Sequence, residues 1–172
     1  MPGAGSRLSR QKKARTPPTA SSPDRTLAYA KAVVSGKIVA GPHVRNACKR
    51  HIADLARKDG IWFDHKAANH AFAFFEEVLK LSEGQFEGQP SQAFIVGPLF
   101  GWKRKDGRRR FRRAYIEQGK GNGKSPVAGG IGIYGMTACL EAGAQIYAAA
   151  AKKVQANILF RDVVRMVRQS PR

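Results

Sequence analysis

The chain has 172 residues, and 31 Lys and Arg against 12 Asp and Glu leave a formal charge of +19. That imbalance favours polyanionic partners such as nucleic acid, although charge alone does not separate such a binder from a ribosomal-type protein or a solvated basic surface. The size fits one domain with a tail or one and a half small domains. An ordinary apolar fraction of 42% provides for a real core. Residues 1–23 lack the apolar segment of a secretory signal. The stretch 127–138 is too short and too glycine-rich to span a bilayer. A soluble, cytoplasmic protein without a membrane partner is expected. Cys48 and Cys139 lie far apart and match no metal spacing, so reduced thiols are expected.

Residues 1–23 are basic and rich in Pro, Ser and Thr, with too little apolar surface to offset the entropy of ordering. They read as a disordered tail. Asp24 can cap a helix over 25–35, with Leu27, Ala30 and Val34 on one side and Gly36 as the stop. A second helix is expected over 42–57, where Val44, Ala47, Cys48, His51, Ile52 and Leu55 form one buried stripe. A third, over 66–81, carries Ala71, Phe74, Phe75, Val78 and Leu79 inward. Together, residues 24–84 make a helical N-terminal subdomain.

The pattern then changes, and 85–172 reads as a partial α/β domain. A short apolar helix over 91–100 leads into the basic run 103–113, which turns at Asp106 and Gly107. A strand over 114–116, a glycine-rich loop and a small-residue helix over 126–138 follow. A second strand over 145–150 and an amphipathic helix over 152–168 complete a strand–helix–strand–helix order. That order implies a parallel sheet.

The loop runs Gln118, Gly119, Lys120, Gly121, Asn122, Gly123, Lys124, Ser125. Phosphate-binding loops need glycines because backbone N–H groups turn inward around the anion, where a β-carbon would clash. They also need a helix starting at the Lys-Ser end, so that its dipole and free amides face the charge. Lys124 would then reach the β and γ phosphates of a nucleotide, and the Ser125 hydroxyl would ligate Mg²⁺. Pro126 suits a first helical turn. Against G-x-x-x-x-G-K-[ST], the first glycine is replaced by Gln118. The rival reading is a flexible basic loop.

From about Tyr29 to Pro171 the chain resembles the N-terminal part of tailed-phage terminase large subunits. The likeness rests on residues 29–57, on the run FGWKRKDGRRRFRRAYIEQGKGNGKSP at 100–126, and on 142–171. The resemblance implies a helical lobe joined to an incomplete P-loop NTPase core with parallel strands. It also implies a variant Walker A over Gly119, Lys120, Gly121, Asn122, Gly123, Lys124 and Ser125 that binds ATP with Mg²⁺, Ser125 holding the metal. That variant often lacks the first glycine, and Gln118 then becomes an ordinary feature. Gln92 matches the family's adenine-contacting glutamine. The partners it implies are double-stranded DNA, the small terminase subunit, the portal protein and other copies of the chain.

This sequence departs from the family pattern in places. Ser91 stands where the family usually has Trp, and Ala151 where it usually has Thr. Hydrolysis in this class needs a strand ending in carboxylates, yet after Ser125 only Glu141 and Asp162 remain, and neither ends an apolar strand. The family's nuclease part has no counterpart. A fragment that binds nucleotide without effective turnover on its own is therefore expected.

Other residues admit two readings. Arg108, Arg109 and Arg110 could contact DNA phosphates or belong to a solvated hairpin. Trp102 could stack on a base or pack beneath that hairpin, and packing fits better. His43, His51, His65 and His70 miss the spacing of a metal site and read as core or surface residues. The alternative function is a non-enzymatic, basic nucleic-acid-binding protein; a small-substrate P-loop kinase lacks a lid or substrate motif.

Overall fold

In the computed structural model, which describes residues 24–81, 84–139 and 143–170, α1 (Arg25–Val34) starts where the Asp24 carboxylate accepts from the Leu27 amide at 3.0 Å. This is the expected cap. The tail 1–23 lies outside the described residues. Helix α2 (Pro42–Leu55) opens on proline, which loses nothing at a position whose N–H has no helical partner. It buries Cys48, His51 and Asp54, whereas Val44, expected on the same stripe, is 40% exposed. The buried face is thus rotated toward a carboxylate and away from the first turn. Ala30, Val33 and Cys48 form a small core with Tyr29, Ile38 and Phe94 against it.

Helix α3 (His65–Ala73) is capped by Asp64, which accepts from the Ala67 amide at 3.0 Å. The expected helix over 66–81 does not run through. A widened π turn at Phe74–Val78 ends it, and Leu79 is already extended at φ −80° and ψ 126°. The wider turn accommodates consecutive bulky residues while keeping Phe75 and Leu79 buried at 2% and 1% exposure. The short strands β2 (Lys80–Leu81) and β3 (Gly84–Gln85) then pair antiparallel.

Helix α4 (Pro90–Gly101) is apolar on nearly every side, as a helix between two cores must be. Phe94 joins the α1–α2 core, while Val96 and Phe100 join a larger one with Phe75, Leu79, Phe86, Val127, Ile133, Tyr134 and Met166. Burying each such side chain contributes roughly 1.5–3 kcal/mol. Helix α5 (Lys124–Thr137) reaches this core through glycine: a β-carbon on Gly130 would lie 2.5 Å from Phe75 Cε1. Helix α6 (Lys153–Gln169) packs on α5 and β2 and buries Met166.

Among the described residues the architecture mixes helices with two small sheets, and both are antiparallel pairs. Besides β2–β3, β1 (Ile61–Phe63) pairs with β4 (Trp102–Arg104), matching Phe63 to Trp102 and Ile61 to Arg104. The expected parallel sheet is not formed among the described residues. Residues 114–116 and 145–150 join no strand. A strand exists through its ladder, and here the apolar side chains that should seat these segments stay outside: Tyr115 is 90% and Tyr147 83% exposed. No helix of the described residues is long and apolar enough to cross a membrane.

Candidate functional site

The glycine-rich loop ends on α5, two residues earlier than expected. Gly123 is the helix N-cap, in the left-handed conformation at φ 71° and ψ 21°. Its carbonyl accepts from the Val127 amide at 3.1 Å. A β-carbon on Gly123 would be strained by that conformation and would lie 2.6 Å from Gln92 Nε2. Gly121 also has positive φ, at 86°. Pro126 falls in the first turn, where the amides have no helical acceptor.

Lys124 folds back on its own loop. Its ammonium donates to the carbonyl oxygen of Gln118 and, at 2.8 Å, to that of Gly119. The Asn122 side-chain Nδ2 donates to the Gly119 carbonyl at 3.4 Å. Lys120, Asn122 and Ser125 are exposed. A left-handed glycine, a helix start and a lysine that donates to two neutral loop carbonyls stand together here. That donor set fits a polyphosphate, whose anionic oxygens would replace the neutral carbonyl acceptors of the lysine.

Gln92 stands beside this loop because α4 holds it there. Its Oε1 accepts from the Gln89 amide at 3.0 Å, half of a capping box at the start of α4. Its Nε2 faces Gly123, and the residue is 7% exposed. The two nucleotide features anticipated from sequence, well separated along the chain, are thus neighbours in space.

The basic run forms a second, separate surface. Beyond β4 the chain turns at Asp106, whose carboxylate accepts from the Arg108 amide at 3.0 Å, and Gly107 donates to the Arg104 carbonyl at 2.9 Å. The return leg bridges Lys103 to Arg109, and the Arg110 amide donates to the Trp102 carbonyl at 2.9 Å. Arg104, Lys105, Arg108 and Arg109 are exposed. The Arg109 guanidinium lies 5.7 Å over the Phe100 ring. Arg110 differs: it bonds Asp54 Oδ2 at 2.6 Å and lies over the Trp102 ring at 5.3 Å and the Phe111 ring at 5.0 Å. Two of the three arginines read as DNA contacts are therefore exposed, and Arg110 is held by the fold.

Trp102 packs beneath the hairpin at 1% exposure and donates Nε1–H to His51 Nδ1 at 3.0 Å. Because indole only donates, neutral His51 must carry its proton on Nε2. Burial pushes the His51 pKa down, partly offset by Asp24 and Asp54. Burial also raises the Cys48 thiol to about 11, which favours the protonated form over the thiolate. His70 pairs with the Tyr134 hydroxyl at 2.8 Å. The described residues hold no cluster of three potential metal ligands.

The Asp54–Arg110 pair escaped the sequence reading. A signal existed: Asp54 follows His51 by three on α2, so an acid fell on the buried face of a helix in a basic chain. A cavity of about 340 Å³ opens not at the glycine loop but between α2, α4 and residues 111–116, with Arg50, Phe94, Phe111 and Tyr115 in its wall. Anion binding at a helix start needs no deep cavity.

Compared with known families, residues 90–172 match the description "terminase large subunit, ATPase domain". No curated protein and no solved structure matches the chain.

Proposed function

Since residues 90–172 belong to the terminase large-subunit ATPase family, a family whose ATPase domain implies nucleotide use, we propose that Gly119–Ser125 is a variant Walker A loop binding ATP with Mg²⁺. The observation that carries this reading is the left-handed Gly123 at the start of α5, with Lys124 bonded to loop carbonyls and Gln92 against it. On this reading Lys124 neutralises phosphate charge, Ser125 holds Mg²⁺, the loop amides fix the triphosphate and Gln92 meets the adenine. In an intact relative, cleavage of the bound phosphoanhydride would drive DNA movement in a packaging motor. This chain, with only Glu141 and Asp162 after Ser125, binds nucleotide without effective turnover on its own. Residues 24–84 serve as the helical lobe and 85–172 as the nucleotide-binding part. The exposed hairpin cations Arg108 and Arg109 contact duplex phosphates.

The test is binding of a labelled ATP analogue with Mg²⁺ to the intact chain and to Lys124→Ala. A loss of at least about tenfold is expected, the order of magnitude of one charge-assisted contact. Equal binding by both proteins would sink the assignment. Thermal stabilisation by duplex DNA alone, salt-sensitive and with no response to ATP, would favour a non-enzymatic nucleic-acid binder.

A further inference from the structure

Asp54 is a carboxylate buried to 4% exposure in a chain of charge +19. Such a group is costly inside a protein unless both oxygens are paired. Here they are: Oδ2 accepts from Arg110 at 2.6 Å and Oδ1 from Arg57 at 3.3 Å. The Arg110 side chain is only 21% exposed, whereas that of Arg57 is 49% exposed. One turn earlier on α2, His51 accepts from Trp102. Trp102 and Arg110 are themselves joined across the hairpin by the 2.9 Å backbone bond. Helix α2 therefore grips both legs of the hairpin, His51 holding one and Asp54 the other. Beyond the grip lie the exposed cations Arg104, Lys105 and Arg108.

We propose that Asp54 is a positioning residue for nucleic-acid binding: through Arg110 it fixes the basic hairpin so that its exposed cations meet duplex phosphates together. This rests on the hairpin contacting DNA. The sign of the effect separates positioning from simple charge. Removing an acid from a basic protein raises its net charge, so electrostatics alone predicts that Asp54→Asn binds DNA more tightly. Loss of positioning predicts weaker binding, because phosphates engaged as a set become independent.

The experiment measures duplex DNA binding by the full chain across a salt series, with far-UV circular dichroism to confirm folding. For Asp54→Asn we expect affinity to fall about five- to tenfold at physiological salt, and the slope of log K against log salt to become shallower by about 0.9 for each phosphate that is no longer neutralised. Asp54→Glu should recover part of the affinity. Equal or tighter binding with an unchanged slope overturns the proposal. Should Asp54→Asn fail to fold, Arg110→Lys keeps the net charge while removing the guanidinium that spans Asp54, Trp102 and Phe111. Weaker binding there supports the proposal and unchanged binding overturns it. Arg108→Ala with Arg109→Ala tests the surface itself. Unchanged binding by that double variant removes the DNA reading, whereas weaker binding there without any weakening in the Asp54 variant removes only the anchor.

Discussion

The hairpin and the segments flanking the glycine loop treat their aromatic residues in opposite ways. Trp102 is 1% exposed and has a hydrogen-bond acceptor and a stacked guanidinium, whereas Tyr115 is 90% exposed and donates to Glu117, two residues away. Tyr147, at 83% exposure, likewise donates to its near neighbour Gln145. Around Trp102, side chains from three elements fix a surface loop with long-range contacts. Around Tyr115 the chain forms no ladder: Arg50 lies over the Phe111 ring at 5.5 Å, and residues 111–116 wall an open cavity against α2 and α4. Shape in the first region comes from packing, and in the second from backbone conformation at a few glycines. The two should therefore fail in different ways.

The largest effect is expected where packing rules. Trp102→Ala removes a buried indole and leaves His51 Nδ1 without its donor, so it should cost about 3–5 kcal/mol in a denaturant titration. A cost below about 1 kcal/mol would show that the hairpin is not packed as described. Gly123→Ala comes next: it sets a β-carbon against Gln92 in a left-handed position and should cost roughly 1–3 kcal/mol. It should also weaken ATP binding while leaving DNA binding intact. Equal weakening toward both ligands would mean that the two regions are not independent.

A smaller, graded effect is expected from pH. Burial lowers the folded pKa of His51, so between that value and the unfolded value of about 6.5 the unfolded chain binds more protons. The stability linked to His51 is complete above about pH 6.5 and is lost as pH falls toward the folded pKa. The slope of stability against pH below 6.5 should be shallower in His51→Gln; an unchanged slope would assign it to other groups. The smallest effect belongs to Tyr115→Ala, expected within about 0.5 kcal/mol of the parent in the same titration. A large destabilisation there would erase the contrast between the regions.

The sequence disclosed most where chemistry is local. The Asp24 cap, the proline that opens α2, the Asp106-Gly107 turn and the helix following Gly123 each depend on a few adjacent residues, and each is found. Alternation and apolar runs also pointed to strands at 114–116 and 145–150. They could not say which neighbour would complete a ladder, and the antiparallel pairing of Ile61–Phe63 with Trp102–Arg104 joins segments about forty residues apart. A still longer separation, 56 residues, hid the Asp54–Arg110 pair, since a buried ion pair has no period. At the loop, glycine spacing exposed the helix start, but the approach of Gln92 to Gly123 depends on how α4 docks.

The chain holds two tryptophans, and the fold places them in contrasting surroundings: Trp62 is 50% exposed and Trp102 nearly sealed. They amount to a pair of intrinsic optical labels. Iodide should quench the redder emission of Trp62 first and leave the bluer Trp102 component. Loosening of the hairpin would then be visible as a second quenchable fraction, without attaching a dye or altering a residue.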